Sequence, residues 1–210
     1  GDGINFAKKI AEVLGIKKIV PFEKFGTALI PGKKVQIEVA SARSEEYLFN
    51  SRKPNKVTYT DLNGDLVRRD FTINAMAMNL SLENFGDIID PYNGKNDIKK
   101  KLLRTPLDPD ETFSEDPLRM MRAAYFSSKL GFSFGRKCLE SIKRQSERIA
   151  IVSWERIRDE FIKILQTDKP SIGLNILQET GLMKIVFPEI DKMYGIDQTA
   201  EWHHKDIFTH

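Results

Sequence analysis

The chain has 210 residues, room for one large domain or two small ones. With 40% apolar and 30% charged residues it has the composition of a soluble globular protein, and no stretch reaches the apolar length of a membrane span. Formal net charge is only +3, so bulk charge does not announce a nucleic-acid partner.

Ile4, Ala7, Ala11 and Leu14 recur at helical spacing, which predicts an amphipathic helix over 4–14, ended by Gly15. The amphipathic character of FAKKIAEVLGIKKIV is also unlike a signal peptide, which needs a basic head and an apolar block. GTALI (26–30) and VQIEVA (35–40) are predicted strands joined by the turn residues Pro31 and Gly32. Alternation in the second puts Val35, Ile37 and Val39 on one face, with Gln36, Glu38 and Ala40 on the other. Residues 42–66 are polar with little periodicity and are expected to form a long loop, of the kind that is usually functional. Order returns over 68–80, followed by a short strand at DIID (87–90) and a turn at PYNG (91–94).

From about 97 the pattern is helical to the end. Helices are expected at 116–130, 136–147, 153–166, 170–180 and 181–187. Pro117 and Pro170 stand where a first helical turn accepts proline, and Gly131 and Gly181 stand just past helix ends. The expected organisation is an α/β piece over 1–95 joined to an all-helical piece over 96–210. KNDIKKKLLR (95–104) and GRKCLESIKRQSER (135–148) are basic, and they either follow an RNA backbone or form solvated faces. The single cysteine, Cys138, cannot form an internal disulfide, so a reducing cytoplasm is the expected setting.

Three segments carry chemistry. RRDFTINAMA (68–77) sets two arginines and an aspartate before an apolar stretch. Arginine forks onto phosphate, and a carboxylate beside it accepts from ribose hydroxyls; the competing reading is a charged helix start with Asp70 as cap. EDPLRMMRA (115–123) reads first as an N-cap, Asp116, followed by an N1 proline. At about 100° per residue, Leu118, Met121 and Tyr125 share an inward stripe, with Arg119 and Arg122 on the neighbouring one. Asp116 is then one turn from Arg119, and a carboxylate beside a guanidinium can read a base. Cytosine and adenine each present an amino donor next to a ring-nitrogen acceptor, whereas uracil and guanine present the opposite pattern. ERIRDEF (155–161) reads as a surface helix with pairs such as Glu155 with Arg158 or Asp159 with Lys163, or as a brace in which Glu155, Arg156 and Glu160 hold the two halves together.

RRDFTINAMA, DIIDPYNGKNDIKKKLLR, EDPLRMMRA and ERIRDEF, in this order and spacing, resemble the class II tRNA nucleotidyltransferase and bacterial poly(A) polymerase family over nearly the whole chain. The resemblance implies a nucleotidyltransferase α/β head over 1–95 and a helical neck and body over 96–200. It implies transfer of CMP or AMP from CTP or ATP to an RNA 3′ end, tRNA above all, with two Mg²⁺ ions and loss of pyrophosphate. In the family's terms Arg69 contacts nucleotide, Asp70 is linked to ribose selection and Asn74 orients phosphates. Asp116 and Arg119 hold the base-reading positions, Arg122 a further nucleotide contact, and the 42–66 loop the element that switches between C and A. A poly(A) polymerase adding only A, and an RNA-binding module without catalysis, are the alternative readings.

The sequence departs from the family in three places. The Gly-Gly-x-x-Arg-Asp segment and the Asp-x-Asp strand that supply the metal carboxylates are not in this sequence, so the chain is expected to be a fragment inactive alone. Glu38 is the one candidate left for a third carboxylate, and its competing reading is a solvent-facing strand residue. Tyr125 stands where members often carry another arginine, so it is expected to stack or fill the core. Residues 201–210, EWHHKDIFTH, resemble the opening of an HD phosphohydrolase domain, with His203, His204, Asp206 and His210 as potential metal ligands; the competing reading is a frayed tail.

Overall fold

The computed structural model describes residues 2–23, 26–32, 34–47, 54–196 and 208. Two compact units are present, one of Gly1–Glu46 with Lys56–Asp65, the other of Tyr47–Asn55 with Leu66–His210.

In the first unit, α1 (Gly3–Val13) starts at Asp2, whose carboxylate accepts from the Asn5 N–H at 3.1 Å. Three antiparallel strands, β1 (Val20–Phe22), β2 (Thr27–Ile30) and β3 (Ile37–Ala40), lie in the order β1-β2-β3. Ala28 faces Val39 across the ladder and Ile30 faces Ile37. The core here is small: Ala7 and Ala11 of α1 against Ala28 and Ile30, with Val39 packed alongside. Val35 and Ile37, expected on one face with Val39, are exposed. Part of the expected 42–66 loop is instead regular, a correction to the sequence reading: β4 (Arg43–Tyr47) pairs with β5 (Pro54–Tyr59), and α2 (Leu62–Val67) follows. Strand pairing satisfies main-chain groups without an apolar stripe, so polar sequence concealed it. Residues 48–53 of that loop lie outside the described residues.

The second unit opens with a 3-10 turn, Thr72–Asn74, and a short antiparallel pair, β6 (Ala77–Met78) with β7 (Ile88–Ile89). Then come α3 (Gly94–Lys100), β8 (Leu102–Leu103), α4 (Pro109–Glu115), α5 (Leu118–Leu130) and β9 (Ser133–Phe134). The chain continues through α6 (Arg136–Gln145), α7 (Trp154–Leu165), α8 (Pro170–Glu179), α9 (Leu182–Val186) and α10 (Pro188–Asp191). The region expected to be all-helical contains a parallel pair, β8 with β9, a further correction. It also contains a break: the expected helix at 116–130 is α5 alone, preceded by α4, because Asp116 is extended at φ −134° and ψ 97°.

One core serves this unit. Phe71, Phe113, Met120, Met121, Ile142, Ile164 and Leu177 are fully buried in it. α5 is central, packing on α7 and α8. Gly173 of α8 makes that crossing tight: a Cβ there would sit 2.6 Å from Ile164 Cγ2 and 3.2 Å from the Ala124 carbonyl. Gly94 does the same for α3 and the 3-10 turn, since its Cβ would lie 2.3 Å from the Thr72 carbonyl oxygen. Thr72 Oγ1 donates to Asp97 Oδ2 at 2.6 Å, fastening the turn that carries Asn74.

Candidate nucleotide site

A cavity of about 740 Å³, within the range of small-molecule sites, opens in the second unit. The turn at 68–74, the start and middle of α5, and α7 supply its walls.

Asp70 anchors the first wall. Its buried carboxylate accepts from the Phe71 N–H at 2.8 Å and Asn74 Nδ2 at 3.0 Å on one oxygen. The other oxygen takes Arg122 Nε at 2.8 Å and Arg122 Nη2 at 2.6 Å. Arg122, four residues before Phe126 on α5, lies over the Phe126 ring at 5.2 Å from its centroid. Arg69 reaches the Asn74 carbonyl at 3.3 Å. A bond network thus joins Arg69, Asp70, Asn74 and Arg122, all four expected at a nucleotide site.

Asp116 and Arg119 both line the cavity and are joined across one turn by the Arg119 N–H donating to the Asp116 carbonyl at 2.9 Å, but their side chains are not each other's partners. Asp116 is extended rather than helical, so its side chain does not follow the helical spacing of α5. One Asp116 oxygen accepts from the Leu118 N–H at 3.1 Å, the expected capping contact. The other accepts from Arg156 at 3.0 Å. Arg119 donates to the Thr112 carbonyl and to Glu115, both at 3.1 Å, and to the Arg68 carbonyl. The carboxylate–guanidinium pair at this end is therefore Asp116 with Arg156, 40 residues apart in the chain. Helical spacing reports only neighbours on one helix, so a pair from two helices leaves no mark in it.

Arg156 and Glu160 of α7, read as braces, line the cavity themselves. Glu160 accepts from Lys163 Nζ at 2.7 Å and lies 3.7 Å from Arg122 Nη1. The anticipated pairs Glu155 with Arg158 and Asp159 with Lys163 are replaced by Arg158 with Asp159 and Lys163 with Glu160. Glu155 is exposed in the first turn of α7. Tyr125 is half-buried against the core, accepts from Lys129 Nζ at 2.9 Å, and does not line the cavity. Glu38 is exposed on β3 of the first unit, whereas every residue lining this cavity belongs to the second. His203, His204, Asp206 and His210 lie outside the described residues.

Phe126, not named from sequence, and Lys163, named from sequence only as an ion-pair partner of Asp159, also line the cavity. Phe126 follows Arg122 by four residues and Lys163 follows Glu160 by three, placing each on its neighbour's helix face. With Arg68 there are six cationic side chains around the cavity against four carboxylates, Asp70, Asp116, Asp159 and Glu160. That surplus suits an anionic ligand, and the guanidinium groups offer paired donors to phosphate. Among the described residues no group of three or more His, Cys, Asp or Glu side chains is placed to hold a metal ion.

The family model for the poly A polymerase head domain matches residues 2–104, and one for a probable RNA- and SrmB-binding site of polymerase A matches residues 131–194. The chain belongs to the poly(A) polymerase and tRNA nucleotidyltransferase family. Among these nucleotidyltransferases, the CCA-adding enzyme of Anoxybacillus flavithermus is 40% identical over 166 residues, 79% of this chain and 41% of that protein. The A-adding tRNA nucleotidyltransferase of Aquifex aeolicus is 32% identical over 213 residues, 97% of this chain and 25% of that protein. The Bacillus stearothermophilus CCA-adding enzyme, solved in complex with CTP, superposes with a TM-score of 0.74 at 32% identity, covering 87% of this chain and 44% of that one. The chain thus spans less than half the length of these nucleotidyltransferases. Its fold is theirs, α/β with many helices and small sheets. Helices α4 and α5, which bear Asp116, Arg119 and Arg122, fall between the two family-model matches.

Proposed function

We propose that this cavity holds an incoming ribonucleoside triphosphate, and that the protein transfers CMP or AMP from CTP or ATP to the 3′ end of RNA, tRNA first of all. The observation that carries this reading is the cavity itself: a cation surplus around Asp116, whose carboxylate touches Arg156 and has Arg119 on the same wall. Each Asp116 oxygen accepts one bond from the protein, leaving capacity for the amino group of cytosine or adenine. The neighbouring guanidinium groups supply donors for the ring nitrogen. Uracil and guanine would set donor against donor and acceptor against acceptor, which is costly in a buried site. Arg69 serves the phosphates and Asn74 their orientation, with Asp70 on the sugar side and Arg122, bound to Asp70, a further nucleotide contact.

Mg²⁺ belongs to this reading as the ion that aligns nucleophile and triphosphate, but the described residues do not form its site. This chain's part is to bind, orient and select the nucleotide. The nucleotide-reading helices belong to a neck and body over 96–200, the head to 1–95, and the cytoplasm, where tRNA and nucleotide pools meet, is the setting.

Calorimetric titration tests the site: CTP and ATP bind at least tenfold more tightly than UTP and GTP, and Asp116→Ala abolishes the difference. Equal binding of all four nucleotides, or unchanged selectivity in Asp116→Ala, refutes the reading. A-only addition is favoured by the Aquifex relative, similar over nearly the whole chain and named for adding A. Incorporation on tRNA ending before CCA, on tRNA ending in CC and on unrelated RNA separates CCA addition, A addition and poly(A) synthesis. A non-catalytic RNA-binding module would instead show steeply salt-dependent RNA affinity with no gain from Mg-ATP.

A further inference from the structure

Arg122 stands between two carboxylates that are unequally served. A carboxylate offers about four acceptor positions. Three of Asp70's are filled by hydrogen bonds from the Phe71 N–H, Asn74 Nδ2 and Arg122 Nε, and Arg122 Nη2 closes on the same oxygen as Nε at 2.6 Å. A sugar hydroxyl reaching that oxygen meets Arg122 there. Glu160 is in the opposite condition. Its side chain is 5% exposed, one oxygen holds Lys163, and the other, Oε2, is shielded from solvent and has no hydrogen-bond partner. A buried carboxylate oxygen without a donor is unfavourable, and it lies in a residue lining the cavity.

Besides Lys163, the cation closest to this carboxylate is Arg122: its Nη1 is 3.7 Å from Oε1, the oxygen that holds Lys163, too long for a hydrogen bond and about 1 Å from one. Its guanidinium lies over the flat face of Phe126, a surface along which it can slide without breaking another polar contact. The described structure holds Arg122 on Asp70.

We infer that Glu160 is a positioning residue for sugar selection, acting through Arg122. When a nucleotide's 2′-hydroxyl donates to Asp70, Arg122 gives up a contact with that oxygen and turns a donor onto the under-served carboxylate of Glu160. The sugar hydroxyl's bond to Asp70 and the Arg122–Glu160 pair form together, and the second offsets the Arg122–Asp70 contact that is released, so only a ribonucleotide makes the exchange favourable. Lys163 competes with Arg122 for Glu160. This inference rests on the nucleotide reading of the cavity.

Titration of the chain with ATP and with 2′-deoxyATP tests it, in Glu160→Gln and in Lys163→Met, with thermal unfolding followed in parallel. Glu160→Gln removes the charge that draws Arg122 across, so the ATP to 2′-deoxyATP affinity ratio falls roughly tenfold, through loss of ATP affinity alone. Lys163→Met, at a half-exposed position, frees Glu160 of its competitor and raises the ratio. Should Glu160→Gln fail to fold, the Lys163→Met ratio decides. A ratio unchanged in either folded variant, with both nucleotides weakened alike, overturns the inference and leaves Glu160 a brace. Absence of ATP binding by the unsubstituted chain overturns the nucleotide reading and this inference with it.

Discussion

Arg119→Met distinguishes a side chain that waits for ligand from one that holds the protein together. Methionine keeps the length and the apolar stem but deletes every donor. The Arg119 side chain is only 11% exposed, and its donors go to the Thr112 carbonyl on α4, to Glu115, and to the Arg68 carbonyl just ahead of the turn that carries Asp70. Two main-chain carbonyls lose charge-assisted donors, at about 1–1.5 kcal/mol each, and Glu115, 28% exposed, loses a partner worth about 0.5 kcal/mol. The expected loss of stability is about 3 kcal/mol. In urea, followed by far-UV circular dichroism, the midpoint of the second unit's transition falls by about 1.5 M with its slope unchanged, for a slope of about 2 kcal/mol/M. Arg119→Lys recovers less than half, because one ammonium cannot fork to acceptors in separate directions. A loss below about 1 kcal/mol, the scale of an ordinary surface change, would refute the clasp.

Three more outcomes are expected. Gly173→Ala destabilises by about 1–2 kcal/mol, overpacking against Ile164 outweighing the helical preference for alanine; combined with Ile164→Ala, which removes the opposing methyl, the two costs fall short of additive by about 1 kcal/mol or more in denaturation midpoints. Asp110 is held below the ordinary carboxylate range by the hydrogen bond from Ser141 first and by Arg144 next. Its folded pKa is depressed, so its contribution is full above the unfolded value near 4 and fades as pH falls through the lower folded value; the stability gap between the protein and Asp110→Asn, measured across pH, is therefore constant near neutrality and closes only below about pH 4. Burial raises the Cys138 thiol above its usual range, so iodoacetamide at pH 8 leaves it unmodified in the native protein and labels it in urea, as mass spectrometry would show.

Local signals in the sequence were dependable where the physics is local. Gly131 and Gly181 adopt φ of 66° and 79° at helix boundaries, where the missing side chain removes the strain. Leu118 and Met121 fall on the buried stripe that their spacing required. Asp108 followed by Pro109 starts α4 as Asp116 followed by Pro117 starts α5, but α4 is seven residues long, too short for helical periodicity to stand out. β8 and β9 have two residues each and exist because α5 carries the chain back beside itself, which no short window records. The site divides the same way. Motif order singled out Arg69, Asp70, Asn74, Asp116, Arg119 and Arg122, which line one cavity, but it left Arg156 and Glu160 as braces, and the pairings Asp116 with Arg156 and Arg119 with the Arg68 carbonyl join distant segments and needed the fold.

The bend at Asp116 hands control of that carboxylate to residues far from it. Its direction depends on how α4 meets α5, and α4 is tethered from behind: Arg144 and Gln145 of α6 both grip Asp110, Arg144 at 2.8 Å through each carboxylate oxygen. Loosening that tether would re-aim the acceptor while leaving every cavity-lining side chain intact. On the proposed nucleotide reading, variation on the outer surface of α6 is thus a lever for tuning base preference, and a comparison of related proteins restricted to cavity residues would overlook it.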